Sequence, residues 1–139
     1  MSFTQNIKEN ISKIGNKCSF CDIAELSALV KLCTNYQGGE IFIVTENEAV
    51  ADRLQVLFGR VFEKKLDYTN KNGSFRFYPD FDFFVTEMAE TLMLFGEAYD
   101  KLVPNECCRA AYIRGAFLGG GSVSDPNSRY HMEIGRAHV

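Results

Sequence analysis

The stretch Cys107-Cys-Arg-Ala-Ala-Tyr-Ile-Arg-Gly-Ala-Phe-Leu-Gly-Gly-Gly-Ser-Val-Ser-Asp-Pro126 decides how this chain folds. Pro104 and Asn105 introduce a helix expected from Glu106 to about Leu118, and three glycines stop it. Within it, Cys107, Ala111, Gly115 and Gly119 recur every four positions, so the small residues form one stripe along the helix. A glycine inside a helix costs about 1 kcal/mol relative to alanine, and Gly115 therefore calls for a packing reason. A groove in which a second helix backbone approaches closely supplies one.

The partner helix is legible further up the chain. Sliding the sequence on itself by 87 residues aligns Cys21-Asp-Ile-Ala24 with Cys108-Arg-Ala-Ala111, then Leu26 with Ile113 and Ala28 with Gly115. Ala24 and Ala28 thus offer small residues at the matching offset, and both segments are followed by glycines and then a strand. The expectation is a pseudo-repeat whose two helices meet through Ala24, Ala28, Cys107, Ala111, Gly115 and Gly119.

The 107–126 stretch, together with Tyr130-His-Met-Glu-Ile134 and the opening Met1-Ser-Phe3, closely resembles the signature of the WhiA family. These are bacterial transcriptional regulators associated with sporulation and cell division in Gram-positive bacteria. The resemblance implies an α+β, degenerate LAGLIDADG homing-endonuclease-like domain with two pseudo-repeats, the second truncated. It implies residues 1–104 as the first half and 105–134 as the start of the second, while 135–139, which do not continue the apolar strand, are expected to be a non-native tail. In the LAGLIDADG pattern each of two crossing helices ends in an acid that holds Mg²⁺ over a phosphate, because a hard cation takes oxygen ligands and generates the attacking hydroxide. Alignment puts Gly120 and Cys33 at those two places, and neither is such a ligand. The implied function is a DNA-binding transcriptional regulator without enzymatic activity, acting on double-stranded DNA. The alternative is a protein-interaction module docking on the transcription machinery while a missing helix-turn-helix reads DNA. An active homing endonuclease is disfavoured by residues 33 and 120.

The rest of the chain reads as α-α-β-α-β-β-α-α-β. Phe3, Ile7, Ile11 and Ile14 have helical spacing; Ser19 and Asp22 suit a capping pair for a helix over about 20–36 with Ile23, Leu26, Val30 and Cys33 on one face. Ile41-Phe-Ile-Val44 reads as a buried strand, and Asn47 caps a helix with Val50, Leu54, Leu57, Phe58 and Val61 inward. Asn72-Gly73 favours a hairpin between Leu66–Tyr68 and Phe75–Tyr78. Asp80 or Asp82 caps a fourth helix, with Val85, Met88, Leu92 and Phe95 inward and Gly96 closing it. Arg129–Ile134 alternates strictly, with Tyr130, Met132 and Ile134 on one face and Arg129, His131 and Glu133 on the other.

Composition bounds the function classes. The chain has 139 residues, 46% of them hydrophobic, with a net charge of −3, as in one ordinary globular domain. No apolar run approaches the ~20 residues of a membrane span, and the amino-terminal pattern is unlike a secretory signal, so a cytoplasmic, nucleoid-associated protein is expected. Residues 80–100 hold no Lys or Arg against six Asp or Glu, which reads as a solvated acidic helix face. The charge balance leaves modest DNA affinity. A second half lacking most of its sheet leaves a strand edge unpaired, and self-association or partial disorder beyond Gly119 is expected.

Candidate DNA contacts are Lys71 and Arg76 in the hairpin and Arg129 and His131 on the alternating strand. Arg114 either joins them or pairs with a carboxylate near the helix interface. Cys18-x-x-Cys21 has the spacing of half a zinc site, but the other pair is the adjacent Cys107-Cys108, whose side chains are expected to diverge on a helix. The expectation is no metal and no cofactor, with Cys21, Cys33 and Cys108 as small core residues. Gly119-Gly-Gly-Ser122 follows a helix instead of preceding one, so it reads as a stop and not a phosphate cradle.

Overall fold

The computed structural model describes residues 2–96, 99–123 and 132–135. Helix α1 (Phe3–Ile11) opens with a reciprocal cap: Ser2 Oγ accepts from the Gln5 amide at 3.1 Å, and Gln5 Oε1 accepts from the Ser2 amide at 3.3 Å. It stops before Ile14, which is exposed. Helix α2 (Ser19–Cys33) is capped by Cys18 without a side-chain bond. The expected Ser19–Asp22 box does not form, because the Asp22 carboxylate instead accepts from the Asn16 side-chain amide at 2.9 Å.

α2 ends at Cys33 and not at 36, since Thr34–Gln37 forms a strand, β1, paired antiparallel with β2 (Glu40–Thr45). Gly38 and Gly39, at φ +60° and +79°, make the turn between them. Nothing apolar alternates along Thr34-Asn-Tyr-Gln37; the strand exists because β2 offers it an edge.

Helix α3 (Glu48–Phe62) starts where Asn47 Oδ1 accepts from the Val50 amide at 3.2 Å. The hairpin β3 (Tyr68–Lys71) and β4 (Ser74–Phe77) turns through Asn72 and Gly73, both at positive φ. The four strands lie in the order β1-β2-β4-β3, all antiparallel neighbours. Ile43, Phe75 and Phe77 turn one face of this sheet onto Leu26, Leu29 and Val30 of α2 and Leu54, Leu57 and Phe58 of α3. Each such side chain fully removed from water contributes about 1.5–3 kcal/mol before entropy is counted.

The acidic segment departs from a regular helix. Asp80 caps it, accepting from the Phe83 amide at 3.2 Å, and the chain then runs through α4 (Phe81–Phe83), a π-helical turn (Phe84–Met88) and α5 (Ala89–Thr91). The wider π turn rotates the inward face, so that Phe84, Met88 and Leu92 are buried while Val85 and Phe95, expected inward, are 41% and 71% exposed. Gly96 is not the stop either: the helix has already ended at Thr91, and Met93 takes the left-handed conformation.

A short helix α6 (Tyr99–Leu102) precedes α7 (Glu106–Gly120), which is followed at once by β5 (Gly121–Val123), paired antiparallel with β6 (Met132–Ile134). Residues 129–131 of the expected alternating strand lie outside the described residues. The result is a mixed helix and sheet domain in which α2 makes its most extensive contact with α7. No helix among the described residues is long and apolar enough to cross a membrane.

Candidate functional site: the helix crossing and the open sheet face

α2 and α7 have the same length, and both of their ends are offset by 87 residues. They meet backbone to backbone. A Cβ built on Gly115 would lie only 2.2 Å from the carbonyl oxygen of Glu25, and one on Gly119 would lie 3.0 Å from Leu32 Cβ and 3.4 Å from the Leu29 carbonyl oxygen. Ala24 and Ala111 are fully buried together in a small cluster with Cys21 and Cys108, beside Cys107; Ala28 is 1% exposed.

The crossing is tied by one buried charge. Glu25, wholly inaccessible, accepts from Arg53 Nε at 2.8 Å and Nη2 at 2.9 Å, from Arg114 Nε at 3.2 Å, and from Asn16 Nδ2 at 3.1 Å. Arg114 also donates to Asn16 Oδ1. The carboxylate raises the Arg53 pKa by hydrogen bonding, so that guanidinium stays charged. Of the two roles open to Arg114, the structure shows the carboxylate partner. A buried arginine of α3 and a half-buried one of α7 thus converge on one acid of α2, an arrangement that is costly to break from either side.

The carboxy-terminal tips of the helices carry Cys33 and Gly120. The Cys33 thiol donates to the Gly119 carbonyl at 3.6 Å and is pushed up to about 12 by burial, so it stays neutral. Lys8, its pKa lowered by burial, is the charged group that acts on Cys33, and its ammonium lies 5.9 Å from the Phe117 ring centre. A Cβ at Gly120 would fall 2.1 Å from the Gly135 carbonyl oxygen, leaving no room for an acidic side chain there.

At the opposite, amino-terminal ends the structure corrects the sequence reading of the cysteines. Cys107 and Cys108 do not carry their sulfurs apart: both lie 3.9 Å from Cys18 Sγ, which is also 3.3 Å from Cys21 Sγ, and Cys21 and Cys108 are 4.0 Å apart. All four sulfurs fall within 4.8 Å of one another. Adjacent residues in a first helical turn both reach a neighbour that caps the facing helix, and spacing within one helix could not reveal that. Cys21 hydrogen bonds draw the Cys18 thiol down to about 7, while burial pushes the Cys21 and Cys108 thiols up. Among the described residues this is the one cluster of three or more groups able to hold a metal.

The open face of the four-stranded sheet holds Arg76 and Lys71. Arg76 pairs with Val44 and Thr69, and Lys71 pairs with Ser74, two residues from Arg76, so both cations share the face turned away from Phe75 and Phe77. Both are exposed, and the Arg76 guanidinium covers the Phe42 ring at 4.7 Å. Arg129 and His131 lie outside the described residues.

Two helices crossing through glycine, each followed by an antiparallel strand pair, define a LAGLIDADG-like fold. The crystal structure of the N-terminal LAGLIDADG domain of DUF199/WhiA matches it with a TM-score of 0.73 at 20% identity, over 96% of this chain and 65% of that one. Full-length DUF199/WhiA from Thermatoga maritima matches with a TM-score of 0.69, over 96% of this chain and 44% of that one. The family described as the WhiA LAGLIDADG-like domain matches residues 109–138. "Probable cell division protein WhiA" of Alkaliphilus oremlandii is 35% identical over 157 aligned residues, covering 96% of this chain and 49% of that protein; its namesake in Alkaliphilus metalliredigens is 32% identical over 99% and 50%. Over nearly its whole length the chain is similar to WhiA family proteins, and it spans about half the length of the curated relatives it matches.

Proposed function

We propose that this chain is the DNA-contacting, catalytically silent LAGLIDADG-like part of a transcriptional regulator acting in cell division. Residues 1–104 form its first half and 105–134 begin the second. The observation that carries the reading is the shared exposure of Lys71 and Arg76 on the open sheet face. Cations there meet phosphates of a duplex laid along the sheet, with Arg129 and His131 as their counterparts in the second half. Cys33 and Gly120 at the helix tips supply no carboxylate to activate water, so bound DNA stays intact. The relatives' description as cell division proteins supports the cellular role.

A salt titration of duplex binding tests this. Each phosphate neutralised contributes about 0.9 to the slope of log K against log salt, so Lys71→Ala and Arg76→Ala each lower the slope by about 1. No salt-dependent binding, or slopes unchanged in both variants, refutes the interface.

A further inference from the structure

We propose that Cys18, Cys21, Cys107 and Cys108 are the four ligands of a structural zinc ion that joins the first turn of α2 to the first turn of α7. The geometry is the main support. Zinc bound to four thiolates at about 2.3 Å places the sulfurs about 3.8 Å apart at the corners of a tetrahedron. Here four of the separations are 3.3, 3.9, 3.9 and 4.0 Å, with every pair inside 4.8 Å. A disulfide needs about 2.05 Å, and all four cysteines are free thiols.

The surroundings suit an ion that is held and not used. Cys21 and Cys108 are 1% and 0% exposed, walled by Leu102, Val103, Ala24 and Ala111, and four ligands close the coordination sphere, as in structural zinc sites. Four thiols packed together with no ion leave weak donors facing weak acceptors in an apolar pocket. Binding releases four thiol protons to solvent and leaves a tetrathiolate centre of charge −2, and the amino-terminal ends of both helices carry the partial positive charge that favours it. The ligands come from 90 residues of chain, so the ion ties together the two elements whose packing makes the fold. Glycine packing at Gly115 and Gly119 secures the other end of the same helix pair.

The test uses the whole chain, produced in zinc-containing medium and purified under reducing conditions. Mass-spectrometric metal analysis is expected to find about one zinc per chain. Cobalt substituted for zinc is expected to give thiolate charge-transfer absorption with tetrahedral d–d bands. Cys18→Ser and Cys107→Ser are expected to lose the metal on dialysis against a chelator, while Cys33→Ser, outside the cluster, retains it. Should a ligand variant precipitate, the wild-type cobalt spectrum and the thiol titration with and without chelator still decide. Folded wild-type protein without metal and with the cluster thiols freely reactive overturns the proposal. So does stoichiometric iron, an octahedral cobalt spectrum, or a Cys18–Cys21 disulfide in the reduced preparation.

Discussion

Replacing Gly115 by alanine measures how closely the two helices cross. The added methyl would sit 2.2 Å from the Glu25 carbonyl oxygen, 3.0 Å from its carbon and 3.1 Å from its Cα, all rigid backbone. Carbon contacts relax at about 3.5 Å, so the helices must part by about 1 Å. That movement also stretches the 3.2 Å bond from Arg114 to Glu25. Overpacking of this kind costs about 1–3 kcal/mol, and more where backbone must move, against about 1 kcal/mol gained in helix propensity. The expected net loss is about 2 kcal/mol, or roughly 5–8 °C in Tm. Gly59 in α3 is the internal control: its added Cβ meets only the Lys64 carbonyl at 3.9 Å, so Gly59→Ala keeps the propensity gain and stabilises by about 0.5–1 kcal/mol. Urea unfolding followed by circular dichroism reads both. If Gly115→Ala is as stable as the wild type while Gly59→Ala gains, the close crossing is wrong.

Glu25→Ala leaves the buried Arg53 and the half-buried Arg114 without their acid and is expected to cost about 3–5 kcal/mol in urea unfolding; a loss below 1 kcal/mol would mean the two guanidiniums find water. Phe84→Ala is expected to cost about 3–5 kcal/mol and Val85→Ala about 0.5 or less, because the π turn buries the first and exposes the second; the reverse order would restore the regular helix face. Gly73→Val, at φ +85°, is expected to destabilise the hairpin by about 1–2 kcal/mol, with amide shifts confined to 66–78; an unchanged Tm would contradict the turn.

How much of this the sequence disclosed depends on whether the signal was local. The stripe of small residues in Cys107–Gly119 and the offset of 87 residues are periodic features, and the observed α2 and α7 carry them. Asn72-Gly73 needs only its own conformational freedom to make a turn. β1 was hidden because Thr34–Gln37 carries no alternation of its own and is drawn into the sheet by pairing with β2. The inward face of 81–91 is not legible from spacing because a π turn breaks the 3.6-residue helical period. The four cysteines escaped because their meeting is a property of two helix starts brought together across 90 residues. Nothing in Cys18-x-x-Cys21 alone says that Cys107 and Cys108 face it.

The central claim, a LAGLIDADG-like scaffold that holds DNA without cutting it, is tested most directly by titrating duplex DNA with the chain in the presence and absence of Mg²⁺ and running the recovered DNA on a denaturing gel. The account predicts salt-dependent binding indifferent to specific Mg²⁺ effects and strands of full length. Strand scission that requires Mg²⁺, or no binding at low salt, contradicts it.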